Sequence, residues 1–229
     1  MLKAVNIKKS YNGKTALKDV SFTVSKGEIF CLLGQNGAGK TTTINIFVGF
    51  IKKDGGQAFV GGQEVGKDDI NQLTAYIPET VQLYSNLSGV ENLDFFSRLA
   101  GFSYSASELQ TFLSKTGLQE DAQHNRLTSY SKGMRQKVGI AIALAKNAEV
   151  IFMDEPTSGL DPKATAEFTK ICKELASMGK VIFMATHDIF NAVELGTTIG
   201  IMKEGVLAQQ LKASEINAGQ LNQIYLETI

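Results

Sequence analysis

The 229-residue sequence has no tryptophan, two cysteines, three prolines and no excess of charge, with 23 basic against 23 acidic side chains. Cys31 and Cys172 both lie in apolar surroundings, which excludes a disulfide framework and fits reduced thiols in the cytoplasm. Zero net charge removes any general electrostatic case for nucleic acid or an anionic membrane as partner. Apolar runs are short. One of the longest, Val138 to Ala145, falls far below the roughly 20 residues of a membrane span. The stretch from Met1 to Asn6 lacks the long apolar core of a secretory signal. The 22 glycines follow no collagen period, and an apolar share of 43% argues against disorder. What remains is a globular chain of one large domain or two small lobes, ample for a real core.

Three continuous apolar runs stand out: Ile29 to Leu33, Val150 to Met153 and Val181 to Ala185. Short unbroken runs bounded by polar or turn residues read as strands buried on both faces of a parallel sheet. Helical stretches follow each, over Lys40 to Phe50, Pro162 to Ser177 and Ile189 to Leu195. Asp161 caps the second of these and Pro162 suits its first turn. This alternation predicts an α/β architecture. Leu2 to Ile7 and Val20 to Val24 read as further strands with a turn at Asn12-Gly13, and Gln57 to Val60 and Thr74 to Ile77 as two more. An antiparallel β-subdomain is therefore expected beside the parallel sheet. Between Gln82 and Arg135 helical signals dominate, at Gly89 to Leu99 and Ser107 to Ser114, before a helix from Met134 to Ala145. The chain is thus expected to be one domain, with residues 82–135 as a helical lobe inserted between core segments 1–81 and 136–229. The tail from Ser214 reads as helix.

The chemistry is concentrated at strand ends. After the first buried run comes Gly34-Gln35-Asn36-Gly37-Ala38-Gly39-Lys40-Thr41, which fits G-x-x-x-x-G-K-[ST] in the strand–loop–helix context the motif requires. Glycines let backbone N–H groups turn inward onto phosphate oxygens at a helix N-terminus. Lys40 would add positive charge at the β- and γ-phosphates, and Thr41 a hydroxyl for Mg²⁺. The second run ends in Asp154-Glu155: an aspartate there can hold the metal, and Glu155 can orient an attacking water. His187 follows the third run, where a neutral imidazole can bond a γ-phosphate. Ligands of open α/β sheets bind at these carboxyl ends of strands.

Tyr130-Ser131-Lys132-Gly133-Met134-Arg135-Gln136, read together with Ser158-Gly159-Leu160-Asp161 and the phosphate loop, resembles the ATP-binding subunits of ABC transporters. The likeness runs from Tyr11 to about Gly205. It implies a P-loop NTPase core of the RecA-like kind, with ATP and Mg²⁺ as cofactors. By that resemblance Tyr11 stacks on adenine and the loop from Gly34 through Thr42 holds the triphosphate. Thr41, Asp154 and Glu79 serve the metal, Glu155 is the catalytic base and His187 the switch residue. The resemblance further implies a head-to-tail dimer with a second copy or a paralogous subunit. In it Ser131 and Gly133 touch the γ-phosphate held by the partner. An integral membrane subunit is the other implied partner, with this chain peripheral on the cytoplasmic face.

Two positions depart from the family pattern. In the usual Leu-Ser-Gly-Gly-Gln signature, Lys132 stands for the first glycine and Met134 for the glutamine, a form similar to that of exporter-type subunits. Glu79, in Tyr76-Ile77-Pro78-Glu79, stands where a metal-linked glutamine is usual. It can accept from metal-bound water but cannot donate an amide hydrogen bond. Chromosome-maintenance members carry a long coiled coil between loop and signature, and Thr41 to Ser131 holds no sustained heptads. Translation-associated members carry two ATPase halves. A soluble ATPase of a non-transport assembly complex and a regulatory nucleotide-binding module stand as alternatives. Glu79 adds negative charge beside phosphates that metal has to offset, so Glu79→Gln is expected to relax the divalent-metal requirement. A metal titration of nucleotide binding checks this, and superimposable curves for the two proteins would remove the idea.

Overall fold

The computed structural model describes all 229 residues. In chain order, β1 (Leu2–Tyr11), β2 (Lys14–Val24) and β3 (Ile29–Gly34) precede α1 (Lys40–Phe47). Then come β4 (Gly55–Val60), β5 (Gln63–Glu64) and β6 (Thr74–Ile77), and a helical stretch of α2 (Gly89–Leu99), α3 (Ala106–Lys115) and α4 (Glu120–Gln123). The chain continues through α5 (Lys132–Ala145), β7 (Val150–Asp154), α6 (Pro162–Ser177), β8 (Val181–Thr186) and α7 (Ile189–Leu195). It ends with β9 (Thr198–Lys203), β10 (Val206–Lys212) and α8 (Ala218–Thr228).

The strands form one ten-stranded mixed sheet in the order β5-β4-β1-β2-β10-β9-β3-β8-β7-β6. From β9 to β6 neighbouring strands run parallel, whereas β1, β2, β4 and β5 pair antiparallel. β10 joins the two parts, antiparallel to β9 and touching β2 at Val206 and Asp19.

The continuous apolar runs follow from burial of both faces. Along β3, Phe30 and Leu32 face the core beneath α1, while Ile29, Cys31 and Leu33 face the core shared with α5, α6 and α7. β7 and β8 divide in the same way. The α1 side is an aromatic stack: Phe183 lies 5.1 Å from Phe22 and 5.3 Å from Phe30, ring centroid to centroid, and Phe47 lies 5.7 Å from Phe152. Aromatic pairs at such spacing add to the area they bury.

A third core belongs to the helical stretch. Leu93 of α2, Leu109 and Leu113 of α3, and Leu118, Leu127 and Tyr130 pack with Val138, Ala141 and Ala145 of α5. Ile140 and Ala143 of α5 belong instead to the sheet core. The division expected between residues 135 and 136 therefore falls inside a helix that serves both bodies. Ser88 and Ser105 start α2 and α3 with reciprocal capping boxes to Glu91 and Glu108, so these short helices carry their own start signals.

Some elements differ from expectation. β1 and β2 continue to their turn, pairing Tyr11 with Lys14, because hairpin hydrogen bonds extend past the apolar residues. α1 stops at Phe47 rather than Phe50, where the Phe50 amide turns back to the Asn45 carbonyl, 2.9 Å. The β9–β10 hairpin was not legible as such. Its signal is Glu204-Gly205, with φ of 44° and 80°, the pair of left-handed residues that a tight hairpin turn needs. The tail helix begins at Ala218, capped by Asn217. Phe183 is fully buried at the centre of the stack. Phe183→Ala is expected to cost about 3–5 kcal/mol of unfolding free energy, read from denaturant melts.

Candidate nucleotide and metal site

The phosphate loop connects two elements that cannot move apart, buried β3 and α1. Gly39 is the helix N-cap, with φ 110°. A Cβ there would lie 2.7 Å from Leu17 Cδ2 and 2.9 Å from the Ala16 carbonyl oxygen, so this position needs glycine for its dihedral and for its space. The loop wraps a polar cavity of about 270 Å³ lined by Gln35, Asn36, Gly37, Gly39, Lys40, Thr41, Thr42, Glu79, Asp154 and Glu155, with no hydrophobic side chain. Ala38 is buried in the core beneath α1.

Lys40 is 6% exposed and folds back on its own loop. Its Nζ donates to the Gly34 carbonyl at 2.6 Å and to the Gln35 carbonyl at 3.4 Å, and stands 3.7 Å from Glu155 Oε1. Phosphate oxygens can replace these acceptors without leaving the ammonium unpaired.

Asp154 ends β7 beside Ala185 of β8. Burial pushes its carboxyl up from the ordinary aspartate value, against a hydrogen bond from Thr41 and the charge of Lys40, while Glu79 adds repulsion. Glu155 follows in a left-handed conformation, φ 45°, a backbone cost of about 1–3 kcal/mol for a residue with a Cβ. Its amide is held by the Ala185 carbonyl at 2.9 Å. Its Oε2 meets His187 Nδ1 at 2.8 Å and accepts from the His187 amide at 3.3 Å. The parallel register of β7 and β8 thus brings Asp154, Glu155 and His187 to one sheet end. The imidazole itself is mostly exposed.

Glu79 reaches the cavity from the loop after β6. The donor set of Thr41 hydroxyl with Asp154 and Glu79 carboxylates is all oxygen, suited to a hard cation. No three His, Cys, Asp or Glu side chains cluster as a self-sufficient cage. One or two carboxylates beside phosphates are the arrangement magnesium takes with nucleotides, so these residues fit that ion.

Three expected residues lie elsewhere. Tyr11, half exposed at the end of β1 with Lys9 Nζ 5.3 Å from its ring centre, does not line the phosphate cavity. Ser131 and Gly133 line a separate cleft of about 390 Å³ between the helical stretch and α6, together with Leu160 and Asp161. Ser131 caps α5, accepting from the Met134 amide at 3.3 Å.

Sequence reasoning passed over Gln136. It is 1% exposed, and its Nε2 faces the carbonyls of Pro78 at 3.4 Å, Glu79 at 3.3 Å and Pro156 at 3.3 Å. One buried amide thereby ties together the loop of Glu79 and the segment after Glu155. A glutamine one turn into an otherwise apolar helix face was the available signal.

A glycine-rich loop between a buried strand and a helix, facing acids at the ends of neighbouring parallel strands, defines a P-loop nucleotide-binding domain. Residues 17–158 match the ABC transporter family. The chain belongs to that family, as an ATP-binding and ATP-hydrolysing component coupled to transport. Among its relatives is the lantibiotic transport ATP-binding protein SrtF of Streptococcus pyogenes, 35% identical over 231 residues, covering 99% of each chain. Another is the linearmycin resistance ATP-binding protein LnrL of Bacillus subtilis, 36% identical over 209 residues, or 90% of this chain and 67% of the relative. A fluoroquinolones export ATP-binding protein of Mycobacterium tuberculosis is 37% identical over 192 residues, 83% of this chain and 63% of the relative. Among solved structures, a dimeric ATP-binding cassette in a post-hydrolysis state with ADP and phosphate aligns with a TM-score of 0.83 at 27% identity, covering 93% of this chain and 99% of that one.

Asp154 holds more proton in the folded than in the unfolded protein, so its ionisation destabilises the nucleotide-free fold as pH rises through the carboxylate range. Asp154→Asn is therefore expected to raise the thermal midpoint of the nucleotide-free protein at pH 7. The gain shrinks as pH falls and is gone below the ordinary aspartate value. Melts across pH in the absence of metal check the sign.

Proposed function

We propose that this chain is the ATPase subunit of an exporter, binding MgATP between two copies arranged head to tail and docking on a separately encoded membrane subunit at the cytoplasmic face. The observation that carries the catalytic reading is the meeting of Lys40, Thr41, Asp154 and Glu155 around one polar cavity, with His187 bonded to Glu155. The reaction is ATP plus water to ADP and phosphate. Most of the catalysis comes from positioning and preorganised charge.

In this reading Lys40 turns from the Gly34 and Gln35 carbonyls to the β- and γ-phosphates, and the amides at the start of α1 bind the remaining oxygens. Thr41 and Asp154, with Glu79 beside them, would hold magnesium, which when bound would supply positive charge against the phosphates. Glu155 accepts a proton from the attacking water. Its side chain is aimed by His187, and its backbone by the bond to Ala185. Tyr11 stacks on the adenine beyond the cavity. Ser131 and Gly133, at the N-terminus of α5, suit the γ-phosphate of a facing copy, since a helix start favours anions. This accounts for their distance from the cavity within one chain.

No helix is long and apolar enough to cross a membrane; in this reading a membrane subunit supplies the translocation path. The exposed aromatics Tyr84 and Phe95, packed edge to face at 4.9 Å, and Leu99 offer the helical stretch an apolar surface for helices of that partner. Export is supported by the signature form and by what the named relatives are said to move or resist.

Glu155→Gln is expected to lower phosphate release by about 10²–10⁴-fold while retaining nucleotide, and to accumulate an ATP-bound dimer on sedimentation. Wild-type turnover would overturn the assignment of the base. Stimulation only on reconstitution with a co-purifying integral membrane protein would support transport over a soluble assembly role.

A further inference from the structure

The two departures from the family pattern, Glu79 and Lys132, meet in space. Lys132 Nζ lies 3.7 Å from Glu79 Oε1, and the Ser158 hydroxyl donates to the same oxygen at 3.0 Å. The Glu79 side chain is 56% exposed, whereas its backbone carbonyl is held by buried Gln136. The loop is therefore fixed while the carboxylate can rotate at small cost.

Each partner is poorly placed without the other. Lys132 is the first residue of α5, where the helix dipole disfavours a cation, and no acidic residue stands in that first turn. Glu79 lines a cavity that already holds Asp154 and Glu155 against the single cation Lys40. The pairing offsets both, and an uncharged glutamine facing a glycine would need neither.

We propose that Lys132 is a positioning residue for Glu79. The pair is a charge latch between the metal-site loop and the start of the helix whose cap, Ser131, faces the second copy. This rests on the reading of Glu79 as a metal-site carboxylate. Magnesium with nucleotide at Thr41 and Asp154 competes for that carboxylate, so loading the site draws Glu79 away from Lys132. Occupancy of a copy's own phosphate loop thereby changes the charge displayed beside Ser131, on the surface offered to the other copy.

The test is a magnesium titration of the binding of a fluorescent ATP analogue to the purified full chain. Lys132→Met is expected to lower the half-saturating magnesium concentration about two- to five-fold, the size of an exposed ion pair, because Glu79 is then free for the metal. Lys132→Arg keeps the wild-type value. In a Glu79→Gln background, Lys132→Met shifts nothing. A shift of equal size in both backgrounds, or none in either, overturns the latch while leaving the site reading intact. Nucleotide binding that needs no magnesium in any variant overturns the site reading itself. Lys132 is partly exposed at a helix start and belongs to none of the apolar cores, so these variants are expected to keep the fold, and unchanged thermal midpoints check it.

Discussion

The phosphate cavity contains one cation and three carboxylates, and the fold depends on keeping that cation, Lys40, buried and satisfied. Its ammonium is placed by α1, its acceptors by the end of β3, and its counter-charge by Glu155 at the end of β7. None of these groups could hold position alone. β3 can present its carbonyl there because both its faces are buried, and α1 can begin where it does because Gly39 tolerates an approach that a Cβ would forbid. An imbalance of charge that would destabilise an ordinary interior becomes, at the mouth of a parallel sheet and on the proposed reading, a place that a metal and a triphosphate would complete.

A second constraint acts on Glu155. Its left-handed backbone is held by the Ala185 carbonyl and its side chain by His187, both supplied by β8 and the turn after it. The strain is localised at a residue whose carboxylate must point in one direction. Strain at such a point is usual where geometry matters more than stability.

The helical stretch adds communication to this core. α5 belongs to two hydrophobic clusters at once, and Gln136 within it grips three carbonyls from two loops. A displacement of the helical stretch therefore has to move either the loop of Glu79 or the segment after Glu155. The Glu79–Lys132 contact lies on the same path. Tyr84, in the loop between Glu79 and α2, and Phe95 of α2 are exposed and packed together, which in the proposed reading gives a membrane partner a mechanical route to the nucleotide.

Much of this was readable from residues alone, because local rules suffice for it. Continuous apolar runs identify strands buried on both sides, Asp161 marks a helix start, and the phosphate loop has a spacing chance rarely supplies. The β9–β10 hairpin escaped because its only local mark is Glu204-Gly205, and the full length of β1 and β2 escaped because pairing carries strands past their apolar residues. Other features are properties of packing alone. Sheet order brings Glu155 to His187, and burial raises the Asp154 carboxyl. Gln136 sits under two loops distant in the chain, and two unusual residues, Glu79 and Lys132, turn out to be one ion pair. Periodicity and motif spacing report what a segment is. Which segments meet, and what charge each then feels, depends on contacts between residues far apart in the chain.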